Sequence, residues 1–167
     1  MTLSRYAALA MSLAAMSAGI TFAAPQARAD TPVEIHDRIA PSKTSVETDR
    51  RVALTLDACS GKFDADLIAF LVQRRIPATI FVTKKWIDAN AYGVSVLKKN
   101  LDLFDIEDHG ENHIPAVIGA GRKVYGIPGE PDVLHLRREV SEGARAIEAT
   151  FGAAPHWYRG ATAEYDQ

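Results

Sequence analysis

Two histidines four residues apart, His109 and His113, have the spacing that points most directly to chemistry. Such a pair can face one metal ion from a helix or around a tight loop, and Gly110 beside an apolar stretch argues for a loop here. Neutral imidazole ligates zinc and related divalent ions, and a catalytic site keeps one coordination position open for water. The ion acidifies that water, and a nearby carboxylate can take its proton. Asp57 is the obvious carboxylate, because it ends the apolar run Val52-Ala53-Leu54-Thr55-Leu56. Arg159 closes a later run that begins at Pro155 and completes the group. A His-x-x-x-His pair alone is weak, since such pairs also occur in solvated loops. An acid at a neighbouring strand end is what gives this pair weight.

Other residue types invite plainer readings. Cys59, the single cysteine, adjoins Asp57 but has no histidine beside it in sequence to activate it. It reads as a small, partly buried thiol rather than a nucleophile. One cysteine also excludes an intramolecular disulfide. Asp108 and Glu111 flank the histidine pair and could supply a further carboxylate. His36, His135 and His156 read as surface or helix residues, and Trp86 and Trp157 as packing residues.

The elements that must position these groups follow from periodicity. Val52–Leu56, Thr79–Thr83, Leu103–Asp108 and Pro155–Arg159 are short apolar or β-branched runs that suit strands, and Val33–Ile35 suits one more short strand. Asp64–Arg75 carries Leu67, Ile68, Leu71 and Val72 at helical spacing, with acids at its start and Pro77 just beyond its end. Ala91–Leu101 reads as a second helix. Asp132–Phe151 reads as a third, with Val133, Leu136, Val140, Ala144 and Ile147 on one face. Gly110–Pro131 is rich in Gly and Pro and reads as a long loop. Alternating strands and helices imply an α/β fold with a mainly parallel sheet and crossover helices, either a barrel or an open doubly wound sheet. In both, active sites gather at the C-terminal ends of strands, where Asp57, His109 and Arg159 all fall. A (β/α) barrel takes about 200 residues or more, and this chain has 167. If the sheet is a barrel, it is therefore expected to be a shortened one.

Composition excludes other classes. With 47% hydrophobic and 24% charged residues, the chain has an ordinary globular make-up. A net charge of −2 without a long Lys/Arg run gives no basis for nucleic-acid binding. Residues 1–29 read as a signal peptide: Arg5 is followed by uncharged Tyr6–Ala24, then by Ala27-Arg28-Ala29 ahead of Asp30. Cleavage there would remove two arginines and no acid, taking the net charge to −4. It would leave no stable membrane insertion, and a periplasmic or secreted product. The retained-anchor alternative meets an Ala- and Ser-rich segment barely long enough to span a bilayer. Residues 30–50 form a polar lead-in, and the folded domain occupies 51–167.

Leu54-Thr55-Leu56-Asp57, His109 to His113 and Tyr158-Arg159 resemble, in order and spacing, the first three motifs of the polysaccharide deacetylases, the NodB-homology or carbohydrate esterase family 4 group. The resemblance runs from about Arg51 to Tyr165. It implies a distorted (β/α) barrel, of which this chain holds the N-terminal part, and a divalent-metal hydrolase, with zinc the expected ion. Such an enzyme removes acetyl groups from acetylated polysaccharide or oligosaccharide. It further implies that Asp57 is the catalytic base, that His109 and His113 are metal ligands and that Arg159 holds the base. The family's second aspartate, a metal ligand, is replaced by Ala58, and the Pro-Tyr that follows the arginine is replaced by Ala161 and Thr162. The later motifs, which supply an aspartate, a tryptophan and a histidine acid, have no counterpart in this sequence. Weak or absent activity is one expectation, so an inactive remnant or a glycan-binding module of the same fold is the alternative reading. Trp157 could then border a sugar site. A third reading, an unrelated open α/β metal-binding protein, has the ordered set of three motifs against it.

Overall fold

The computed structural model describes residues 52–166 together with the two-residue strand β1, Val33–Glu34. The segment expected to be a signal peptide, most of the lead-in and His36 lie outside these residues. The centre of the fold is a three-stranded parallel sheet of β2 (Thr55–Ala58), β3 (Ala78–Val82) and β4 (Phe104–Asp108), in that spatial order. Pairing of Asp57 with Phe81 and of Val82 with Asp108 brings the C-terminal ends of β2 and β4 to either side of the end of β3. β3 is apolar along its length because it lies between two strands with helices packed on it, as buried parallel strands require.

Helices make the crossovers. α1 (Ala65–Arg74) starts where the Asp64 carboxylate accepts from the Leu67 amide at 3.0 Å, a cap that satisfies an otherwise orphaned donor. α2 (Lys84–Ala89) starts on the Thr83 hydroxyl in the same way, and α3 (Ala91–Lys98) follows it directly. α4 (Val133–Phe151) starts on Asp132. Ile68 and Leu71 of α1, Trp86 of α2, Leu97 of α3 and Ile147 of α4 close over Ile80, Val82, Phe104 and Ile106 of the sheet as one apolar core. Trp86 is thus a packing residue, as expected, whereas Trp157 is largely exposed. Among the described residues no helix is long and apolar enough to cross a membrane.

Four expectations need correction. The first strand of the sheet occupies Thr55–Ala58 rather than Val52–Leu56, because its ladder follows the partner β3, which begins only after Pro77; Val52 is left exposed. Pro155–Arg159 is not a full strand. Only Tyr158 bridges Asp108, in parallel, and the strand of this region is β8 (Ala161–Tyr165), flanked by β1 and by β5 (Pro115–Ala116). The long Gly- and Pro-rich loop is structured as well. It contains β5 and a hairpin of β6 (Lys123–Val124) and β7 (Ile127–Pro128), whose two-residue turn puts Tyr125 and Gly126 at positive φ, as tight hairpins favour. Finally, the buried stripe of α4 is Glu139, Gly143 and Ile147, not the face centred on Val140 and Ala144.

Candidate metal centre and active site

Asp57 sits one residue before the end of β2, and its two oxygens have different neighbours. Oδ1 accepts from Arg159 Nη1 at 2.7 Å, while Oδ2 lies 4.0 Å from His109 Nε2, too far for a hydrogen bond. Arg159 is held on three sides. Nη2 donates to Thr55 Oγ1 at 3.1 Å, and the guanidinium lies 4.0 Å above the centre of the Phe81 ring, a cation–π distance. Its backbone amide donates to the Asp108 carbonyl at 2.9 Å. Both charged side chains remain about one-third exposed, so the pair is fixed yet open to a substrate.

His109 follows β4 directly, and its amide extends the ladder to the Val82 carbonyl. Its Nδ1 stands 2.6 Å from the Arg159 carbonyl. A carbonyl can only accept, so Nδ1 carries the proton and Nε2 presents a lone pair. A hydrogen bond on the far nitrogen fixes the tautomer in this way in metal-ligating histidines. Nε2 faces Cys59 Sγ at 3.4 Å. The His113 ring lies 4.7 Å from that of His109, centre to centre, and a ring nitrogen of each histidine and the cysteine sulfur all fall within 4.8 Å of one another. Burial holds both histidines below the ordinary imidazole range, so they stay neutral as ligands must. Burial first, and then the Asp57 charge, push the Cys59 thiol up, which agrees with reading it as no ready nucleophile.

The loop that carries the histidines is tied down by two helices. The carbonyls of Gly110 and Glu111 accept from the first amides of α2, at Lys84 and Lys85. Buried Glu139 of α4 accepts from the amides of Asn112 at 2.8 Å and Ile114 at 3.2 Å. His113, between these two amides, is thereby held at φ 67°, a left-handed conformation uncommon for a residue with a side chain. Gly110, at φ 90°, has no room for a side chain against Glu139. Asp108 lies beneath the loop, accepts from the Gly110 amide at 2.8 Å and is pushed up to about 7 by burial.

The structure therefore brings Asp57, His109, His113 and Arg159 together, as expected from their positions at strand ends. Neither Asp108 nor Glu111 joins the ligand group. Asp108 is turned under the loop, and Glu111 faces Arg138 at 3.9 Å. Cys59 stands there instead, a donor that the sequence reading treated as packing. The missed signal was strand alternation: residues 57 and 59 point to one face of β2, while Leu56 and Ala58 pack against the core. Glu139 was missed too, because a glutamate in an amphipathic helix ordinarily belongs to its solvated face. The donor set of two neutral imidazoles and a thiol, with a carboxylate alongside, fits a borderline-soft divalent ion such as zinc.

A family model described as polysaccharide deacetylase matches residues 44–167. Among solved structures, a family 4 carbohydrate esterase from Bacillus anthracis aligns with a TM-score of 0.52 at 18% identity, over 68% of this chain and 49% of that one. The T48 deacetylase, solved with substrate, aligns with a TM-score of 0.50 at 24% identity, over 66% of this chain and 49% of that one. The chain spans about half the length of these structures, and at such identities the likeness is one of fold: a partial (β/α) barrel. No curated protein sequence matches the chain.

Proposed function

The chain belongs to the polysaccharide deacetylase family, and on that premise we propose that it is an exported, metal-dependent hydrolase that removes acetyl groups from N-acetylated polysaccharide. The observation that carries this reading is the orientation of Asp57, whose Oδ1 is fixed by Arg159 while Oδ2 turns toward the histidine pair. Asp57 is the base, Arg159 its positioning partner, and His109 and His113 hold the ion. A bound divalent ion would supply Lewis-acid activation of water and of the acetyl carbonyl.

The remaining chemistry belongs to the chain's own residues. Oδ2 of Asp57 takes the proton of the attacking water as its oxygen bonds to the acetyl carbon. Arg159 keeps that carboxylate from rotating away, so the reacting geometry is set before substrate arrives. When the carbon–nitrogen bond breaks, protonated Asp57 returns its proton to the departing amine. Acetate and a free amino sugar result. Export rests on the N-terminal segment Met1–Ala29 and would bring the protein to cell-wall or exopolysaccharide substrates. The test is acetate release from N-acetylglucosamine oligomers by the zinc-loaded chain, before and after chelation. Release that chelation abolishes and added zinc restores is expected. Its absence from folded, zinc-loaded protein on every acetylated glycan tried would overturn the proposal.

A further inference from the structure

From the geometry of β2 we infer that Cys59 is the third protein ligand of the metal, in place of the carboxylate that Ala58 cannot supply, so that the site is a Cys-His-His centre selective for thiophilic ions. This rests on the metal-dependent reading above and specifies its ligand set. Three observations carry it. First, Cys59 Sγ lies 3.4 Å from His109 Nε2. Two donors at about 2.0–2.3 Å from a tetrahedral ion stand about 3.5 Å apart, so this pair already has the spacing of two ligands. Second, Nε2 carries no proton, because Nδ1 donates to the Arg159 carbonyl, so the contact is a thiol hydrogen aimed at an imidazole lone pair. Cys59 Sγ and His109 Nε2 would both hold an ion placed between them, with the thiol proton passing to solvent. Third, the backbone holding Cys59 is fixed from behind. The fully buried Thr83 hydroxyl donates to the Cys59 carbonyl, and the Thr83 amide donates to the Ala58 carbonyl at 3.2 Å.

Ala58 packs against the apolar core, on the opposite side of β2 from Asp57 and Cys59. The ligand duty has therefore moved one residue along, to the next position that faces the histidines. The chemical consequence is selectivity. Thiolate favours zinc and cobalt(II), whereas the hard ions magnesium, calcium and manganese prefer carboxylate, carbonyl and water.

The test is cobalt(II) titration of the metal-stripped full chain, followed by absorption, for the unaltered protein and for Cys59→Ser and Cys59→Asp. Circular dichroism of each metal-free variant establishes that it is folded. One equivalent of cobalt with a thiolate-to-metal charge-transfer band is expected for the unaltered chain. Cys59→Ser should lose the band and bind about 100-fold more weakly or worse, while Cys59→Asp loses the band but retains much of the affinity. Stoichiometric binding without the band, unchanged in Cys59→Ser, would overturn the inference and leave the metal-dependent reading standing. A band that survives His109→Ala and His113→Ala would show adventitious thiol binding and overturn it too. No binding of cobalt or zinc by the folded chain would sink both.

Discussion

At Asp57 the two carboxylate oxygens have different surroundings, with Oδ1 bound to Arg159 and Oδ2 turned toward His109, and the proposed base role rests on the second. Asp57→Asn keeps the shape and one acceptor but cannot take a proton. Acetate release should fall by about 10²–10⁴-fold, with metal content unchanged, as steady-state rates and elemental analysis of the same preparation would reveal. Arg159→Met removes the hydrogen bonds to Asp57 and Thr55 and frees the base to swing. A fall of about 100-fold in kcat with little change in KM is expected, since misplacement of a reacting group by about 1 Å has that effect. That Asp57 and Arg159 meet was legible in the sequence, because each ends a run that reads as a strand of one parallel sheet. The place of Cys59 beside the histidines was not, because a thiol near a strand end more often packs, and only alternation along β2 turns it toward them.

Elements decide whether the histidine loop is held in place. α4 lies so close to the loop that a Cβ on Gly143 would come 2.2 Å from Asp108 Oδ1 and 2.7 Å from the Gly110 carbonyl carbon. The Gly110 atom is backbone, and Asp108 Oδ1 is held by the Gly110 amide at 2.8 Å, so Gly143→Ala should cost about 1–3 kcal/mol or more in urea unfolding. Glu139→Ala strands the amides of Asn112 and Ile114. Each buried donor left without a partner costs about 1–3 kcal/mol, and zinc affinity should drop with it by roughly 10–100-fold. Glu139→Gln keeps an acceptor and should retain most of both. The alternation of strands and helices was readable from periodicity, and so were the starts of α1 and α4 near Asp64 and Asp132, although not the capping contacts these two carboxylates make. The buried face of α4 was not, because apolar counting passes over a stripe of glutamate and glycine whose task is to meet backbone.

Across the whole molecule, burial of carboxyl groups sets how stability depends on pH. Burial first, and then the charge of Glu139, raise the Glu130 carboxyl, and burial raises Asp108 to about 7. Such groups hold their protons longer folded than unfolded, where carboxyls titrate near about 4. The native state therefore binds more of these protons above that pH, and what Glu130 and Asp108 contribute to stability is lost as pH rises through their folded values. Glu130→Gln should flatten part of that fall, gaining on the unaltered metal-free chain as pH rises from about 4 toward neutrality; chemical unfolding at a series of pH values checks it. The mainly parallel α/β arrangement was legible at this scale. The hairpin of β6 and β7 was not, since its strands are two residues each and show no period, and the pairing of β8 with β1 and β5 was not, since it joins segments far apart in the chain. The central claim is that Asp57 and the histidine pair form one metal-dependent site. Zinc content of the purified full chain, beside His109→Ala and His113→Ala, tests it most directly. One zinc per chain, lost in both folded variants, is the expected result. A folded chain that takes up no metal, or that holds it equally well without either histidine, would contradict the account.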